Sequence, residues 1–297
     1  MLNFKSKNLN HYVEAGKLID ENSRKFIRNS LGVNKKKVEA ARHAILSGPP
    51  GVGKTYGTMD ECKKNKVNYI LVEEGITDIN LATKLAVGVY NLKKNQELTV
   101  ILDDADSVVF GDHQTLNKWK IATAEGDAEL GILPVFNHAK NLTNHFNTLP
   151  KQGRFELVKA MKAFVPDDGL GVSIPMDRVR FLVLCNKNLE DPKAFSGNGA
   201  AKMRAGVAPV LDRMNYKRVE ADKNGQWGWA AYVLGQTQPF PGYNLTNAQK
   251  TELMTWMYSN WDNLRSTSYR MVRKLAEAMI NEPNNYYASW EEQLRGH

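Results

Sequence analysis

Gly48, Gly53, Lys54 and Thr55 follow the spacing glycine, four residues, then Gly-Lys-Thr, a pattern suited to holding a phosphate. Glycine lets the backbone fold into a nest of N–H donors around a β-phosphate, where a side chain would collide. Lys54 can reach the β- and γ-phosphates, and the Thr55 hydroxyl can ligate Mg²⁺. Pro49, Pro50, Gly51 and Val52 complete the loop, and Tyr56 is the first residue beyond it. An apolar run at 44–47 predicts a strand before the loop, and a helix is expected after it, to about residue 64. That strand and helix are the context the pattern requires, and the helix adds the positive end of its dipole. The expected ligand is a nucleotide with Mg²⁺.

A second chemical group ends the apolar run 98–102, Leu-Thr-Val-Ile-Leu, which is followed by Asp103, Asp104 and, two residues on, Asp106. A carboxylate at the carboxyl end of a buried strand stands where open α/β sheets bind ligands. Asp103 can hold Mg²⁺ through its water shell, and Asp104 can orient and deprotonate the attacking water. Two acids after an apolar run are a weak signal alone. With a phosphate loop about 50 residues earlier, as in phosphoryl-transfer sites, they become a strong one.

The elements that must position these residues are legible from periodicity. A helix is predicted over 9–29, a turn at 31–33 and a second, basic helix over 34–43. Runs at 67–72, 98–102 and 179–185 read as buried parallel strands, with a helix at 80–93 between the first two. Alternating strands and helices imply right-handed crossovers and a parallel sheet. Between 102 and 179 lie 76 residues, more than one crossover needs. A helix at 116–124 accounts for part, and 132–173 is read as an insertion containing a Pro-Lys-Gln-Gly turn at 150–153 and an amphipathic helix at 154–164. Residues 207–214 precede a fifth strand near 216–220. A connection bearing Trp227 and Trp229 then runs to 239–241, and helices follow at 246–260 and 266–280. Ser266, Thr267 or Ser268 is the N-cap of the last helix and Pro283 its stop. The expected division is a basic helical segment 1–40, an α/β nucleotide-binding domain 41–221 carrying the insertion, and a small helical domain 222–297.

Net charge is +8 over 297 residues, and 42% apolar content is enough for a sizeable core. Residues 1–66 carry 14 Lys and Arg against 6 Asp and Glu, whereas the remainder is balanced. That stretch could meet nucleic acid or an acidic partner, or Lys35, Lys36 and Lys37 could form one solvated helix face. No run is long and apolar enough for a membrane span, and the first residues lack a signal-peptide core. Cys62 and Cys185 suggest neither a disulfide framework nor a zinc site. A cytoplasmic location is expected.

Together, Gly-Pro-Pro-Gly-Val-Gly-Lys-Thr, the acidic pair and a strand 179–185 ending in Asn186 resemble the AAA+ ATPase family over roughly residues 40–290. The resemblance implies a P-loop ATPase core followed by an all-helical lid. It assigns Asn186 as the residue that senses the γ-phosphate and positions the water, although Asn186 also suits a simple turn. It assigns Arg213, in Val-Ala-Pro-Val-Leu-Asp-Arg-Met, as a finger acting on a neighbouring subunit's nucleotide, although a surface ion pair would use the same residue. Arg270 is the lid arginine it points to, with Arg265 and Arg273 close enough to compete. A finger acting in trans implies a homo-oligomeric ring, a hexamer. The stretch Leu116-Asn117-Lys118-Trp119-Lys120, the insertion, and Ile174-Pro175 are loosely similar to the MoxR-like branch and to small phage-encoded ATPases. One departure is that Asp104 stands where the family usually has Glu, one methylene longer, which leaves slow hydrolysis open.

The resemblance implies coupling of Mg-ATP hydrolysis to remodelling of a protein substrate or adaptor. The alternatives are a DNA-associated ATPase, such as a helicase loader or replication motor, and an ATP-gated scaffold with slow hydrolysis. The loop 73–78 lacks the aromatic of protein-threading members. His138 and His145 read as surface histidines, and Trp227, Trp229, Trp256 and Trp261 either build a core or stack on bases.

Overall fold

The structure, a computed structural model, describes residues 2–33, 42–72, 78–104, 146–164, 174, 176–195 and 200–294. Outside them lie residues 34–41 of the expected basic helix, loop residues 73–77, Asp106, the expected helix at 116–124, His138, His145 and Pro175. Most of the insertion 132–173 lies outside as well. The chain forms two compact units that interleave in sequence. One comprises Ile27–Ser47 and Met59–Arg218, and the other Met1–Phe26, Gly48–Thr58 and Val219–His297.

The first unit is α/β. Strands β1 (His43–Ser47), β2 (Tyr69–Val72), β3 (Leu98–Leu102), β4 (Val179–Cys185) and β5 (Met214–Arg218) form one five-stranded sheet in the order β2-β3-β4-β1-β5. All pairings are parallel, as the continuous apolar runs of β1, β3 and β4 require. Their side chains enter a core with residues of the helices. These are Leu85, Ala86 and Val89 of α3 (Asp78–Tyr90), Leu157 and Ala160 of α4 (Lys151–Ala163), and Val207 and Val210 of α5 (Ala200–Arg213). The helix α2 spans Lys54–Lys64.

The second unit is helical, with α1 (Lys7–Ser30, which enters it as far as Phe26), α6 (Lys223–Gln236), α7 (Asn247–Ser259), α8 (Tyr269–Asn281) and α9 (Tyr286–Glu291). Its core gathers Leu2, Phe4 and Val13 with Trp227, Trp229, Leu253, Met257, Leu275 and Trp290. A capping box closes the start of α7: Thr246 accepts from the Gln249 backbone N–H, and Gln249 accepts from that of Thr246. Among the described residues, no helix is long and apolar enough to cross a membrane.

Several boundaries differ from expectation. The Trp-rich connection is the helix α6, capped by Asp222, whose Oδ1 accepts from Gly225 N–H at 2.8 Å. It is apolar around almost its whole circumference and buried on most of it, so it lacks the polar face that periodicity detects. Trp227, Trp229 and Trp261 are consequently core residues. The fifth strand starts two residues early, at Met214, and α8 starts at Tyr269 with Ser268 in the cap position. His43, expected to end a helix, is the first residue of β1.

His43 is buried, and its Nδ1 accepts from the Phe181 backbone N–H at 3.1 Å. Desolvation, reinforced by the Arg42 and Arg180 charges, pushes its pKa down to about 4. Because the unfolded chain protonates near the ordinary value of 6.5, stability is complete above that pH and is lost as pH falls from about 6.5 towards 4. Unfolding free energy should drop by about 2 kcal/mol from this residue between pH 7 and pH 5. In His43→Asn, which keeps an acceptor for Phe181, urea titrations should show that part of the slope gone.

Candidate functional site

The phosphate-loop residues belong to the helical unit and follow directly on Ser47 of β1. Gly51 and Gly53 have φ of +86° and +74°, in the left-handed region that glycine enters without strain. Space confirms the requirement for glycine. A Cβ on Gly53 would lie 2.0 Å from Cζ2 of Trp229, one on Gly48 2.9 Å from the Val219 carbonyl, and one on Gly51 3.0 Å from Cα of Ser268.

Val52 is buried beside the loop. Lys54, also buried, turns its ammonium back into the loop and donates to the carbonyls of Gly48 at 2.7 Å and Pro49 at 3.0 Å. The first bond of α2 runs from Gly57 N–H to Gly53 O at 2.7 Å. As in any helix, the N–H groups of the first residues, here Lys54, Thr55 and Tyr56, have no acceptor within it. Backbone donors, a helix N-terminus and one ammonium on a glycine cradle are the components of an anion site, and they fit a phosphate. Pro49 and Pro50 contribute no N–H, so the nest is made by the residues after them.

The sequence offers three arginines for a lid role, Arg265, Arg270 and Arg273. Arg265 donates through Nε to Leu294 O at 3.2 Å, and the Arg273 guanidinium lies 4.9 Å from the Phe240 ring centroid. Arg270 is exposed and, among the described residues, has no hydrogen-bond or ion-pair partner. It lies in the first turn of α8, two residues beyond the Ser268 that abuts Gly51.

In the sheet unit, the parallel pairing brings the carboxyl ends of β1, β3 and β4 to one edge. Asp103 directly follows β3, half-buried, and its N–H donates to Val72 O at 2.8 Å. Asp104 is exposed, with φ of +48°. A left-handed residue at a strand end is tolerated best by Gly, Asn and Asp, and here it re-aims the side chain. Its Oδ1 accepts from Asn186 Nδ2 at 3.2 Å, so the structure brings together the two residues expected to handle the water. Both metal donors named from sequence, the Thr55 hydroxyl and the Asp103 carboxylate, are hard oxygen ligands of the kind Mg²⁺ takes.

Arg213 ends α5 at the opposite edge, since Met214 pairs with His43 at the start of β1. Following the register, Arg213 and Asp103 are separated by four residues along the strands and three strands across. Their backbones are therefore on the order of 20 Å apart. An arginine side chain does not span that distance, so Arg213 cannot serve the acids of its own sheet.

Periodicity and motif spacing missed Arg218. It ends β5 at the carboxyl edge and donates to Ser47 Oγ at 3.2 Å, while that hydroxyl donates to Lys187 O at 2.5 Å. The strand end that launches the phosphate loop is thus tied to the residue next to Asn186. Arg218 is 171 positions from Ser47, and no local signal carries such a pairing.

No protein-family model matches this chain, and no curated protein matches it.

Proposed function

We propose that this chain binds and hydrolyses ATP with Mg²⁺ in the manner of an AAA+ ATPase. The observation that carries the reading is the loop itself: two left-handed glycines, a third packed against backbone, and Lys54 curled inside at the N-terminus of α2. The Lys54 ammonium, now on two loop carbonyls, would serve the β- and γ-phosphates, and Thr55 and Asp103 are the residues that would hold Mg²⁺. Mg²⁺ would neutralise charge developing on the phosphates. By the family resemblance Asp104 would accept the proton of the attacking water, and Asn186, which donates to its Oδ1, would orient that carboxylate.

The helical unit supplies the lid in this reading. Its α8 start abuts the loop at Gly51, which puts Arg270 within the first helical turn from it. Arg213, remote from its own sheet's acids, acts on a second copy, and a closed ring, a hexamer, follows from repeated head-to-tail contacts of that kind. Hydrolysis would then drive work on a protein partner. Burial of Trp227, Trp229 and Trp261 takes those three out of any base-stacking surface and leaves the half-buried Trp256, packed on Trp290, and the basic charge of the first 66 residues as the case for DNA.

Calorimetric titration with Mg-ADP and Mg-ATP, alongside phosphate release, tests the core of this. The native chain should bind both nucleotides and release phosphate only with Mg²⁺, and Lys54→Ala should do neither. A native chain that fails to bind either nucleotide would overturn the reading. Phosphate release stimulated by single- or double-stranded DNA would move the target from protein to DNA.

A further inference from the structure

Three buried tryptophans of the helical unit, Trp227, Trp229 and Trp290, satisfy their indole N–H groups in two different ways. Trp227 donates to Met254 O at 2.8 Å and Trp290 to Leu275 O at 2.8 Å, both main-chain carbonyls. Trp229 instead donates to a carboxylate, Oδ1 of Asp20 on α1, at 3.2 Å and 209 positions away. A buried carboxylate is costly to desolvate, and a backbone carbonyl would have satisfied the indole at less expense.

The surroundings suggest what the carboxylate does. The benzo edge of Trp229 is the surface that fills the space beside Gly53, and Tyr269 packs edge-on to the same indole with centroids 5.9 Å apart. Tyr269 directly follows the Ser268 that abuts Gly51. The other oxygen of Asp20, Oδ2, accepts from Arg24 Nε at 2.6 Å, and the Arg24 guanidinium lies 5.8 Å from the ring centroid of Tyr56. One carboxylate therefore has two arms, through Trp229 to Gly53 of the phosphate loop and through Arg24 to Tyr56 just beyond it.

We infer that Asp20 is a positioning residue for the phosphate loop, pinning Trp229 as the wall that holds Gly53 in its left-handed conformation and so pre-organising the nest before nucleotide arrives. This rests on the reading of the loop as a nucleotide site. An ordered nest pays less conformational entropy on binding, so the effect falls on affinity for the β-phosphate shared by ADP and ATP.

Mg-ADP titration and Mg-ATP kinetics on four variants test it. Trp229→Phe keeps a ring against Gly53 but loses the N–H, and Asp20→Ala loses the acceptor. Each should raise the Mg-ADP dissociation constant about fivefold to tenfold, the scale of one hydrogen bond. The loss should fall on KM for ATP more than on kcat. Asp20→Asn, whose amide oxygen can still accept from the indole, should recover most of the affinity. Trp227→Phe, two residues away on α6, loses an equivalent buried N–H without touching the loop; it should lower the thermal midpoint yet bind Mg-ADP as the native chain does. Native-like Mg-ADP binding by Trp229→Phe, or equal weakening by Trp227→Phe, would overturn the inference while leaving the nucleotide site standing. Failure of the native chain to bind Mg-ADP would remove both.

Discussion

Replacing Asp104 with Asn is expected to cut Mg-ATP turnover about 10²- to 10⁴-fold, the range associated with losing a general base, while Mg-ADP binding is retained. The substitution separates chemistry from fold unusually well. Asn is close to Asp in shape and tolerates the left-handed φ of +48° that this position adopts. The exposed side chain can still meet Asn186, whose amide now faces an amide oxygen rather than a carboxylate. What disappears is basicity. Steady-state phosphate release and calorimetry on the same preparation should therefore diverge, with the first collapsing and the second unchanged.

Asp104→Glu makes the complementary point. The extra methylene restores the reach expected of a longer acid, and a rise in turnover would mean that the short carboxylate limits the native rate. If native turnover is negligible and Asp104→Asn changes nothing, the chain gates assembly with ATP rather than spending it, and the scaffold reading holds. In that case nucleotide binding, expected of the loop, should persist in every variant of Asp104.

Residues 98–102 and 179–185 were legible as strands to the residue because β3 and β4 are central, buried on both sides, and spell continuous apolar runs. The edge strands were not. β2 is mostly half-buried, and β5, Met-Asn-Tyr-Lys-Arg, carries two cations, so their limits fell two residues from expectation. The glycines of the loop announced themselves because spacing alone encodes a backbone requirement. The wall behind them did not: the Asp20–Trp229 bond joins residues 209 positions apart, and Asp20 reads locally as half of an i,i+4 pair with Arg24. Likewise the Asp104–Asn186 bond follows from the register of β3 on β4, which no single segment contains. Local sequence marked the candidate groups, and long-range pairing determined which of them meet.

That pairing in the helical unit depends on one close crossing, and Gly228→Ala should expose it as the most destabilising single-methyl change in α6. A Cβ on Gly228 would lie 1.9 Å from the Tyr12 carbonyl oxygen, and one on Gly16 would lie 2.1 Å from the Gly228 carbonyl carbon. Both obstructions are backbone, so no rotamer relieves them, and α1 and α6 must separate by more than an ångström. Alanine would favour an isolated helix by roughly 1 kcal/mol over glycine. The clash outweighs this: a net loss of about 3 kcal/mol or more is expected, at the upper end of overpacking costs. Thermal unfolding followed by far-ultraviolet circular dichroism should show a midpoint lowered by about 10 °C. Gly153→Ala provides the opposite sign in the same assay. Its Cβ would meet nothing nearer than 3.8 Å in the first turn of α4, so helix propensity alone acts, and stability should rise by a few tenths to about 1 kcal/mol. Because Trp229 follows Gly228 directly, separating the helices also withdraws the wall behind Gly53. Gly228→Ala should accordingly lose nucleotide affinity even at temperatures where it remains folded, and Gly16→Ala should do the same, with the double variant far less than additive since both methyls demand the same displacement.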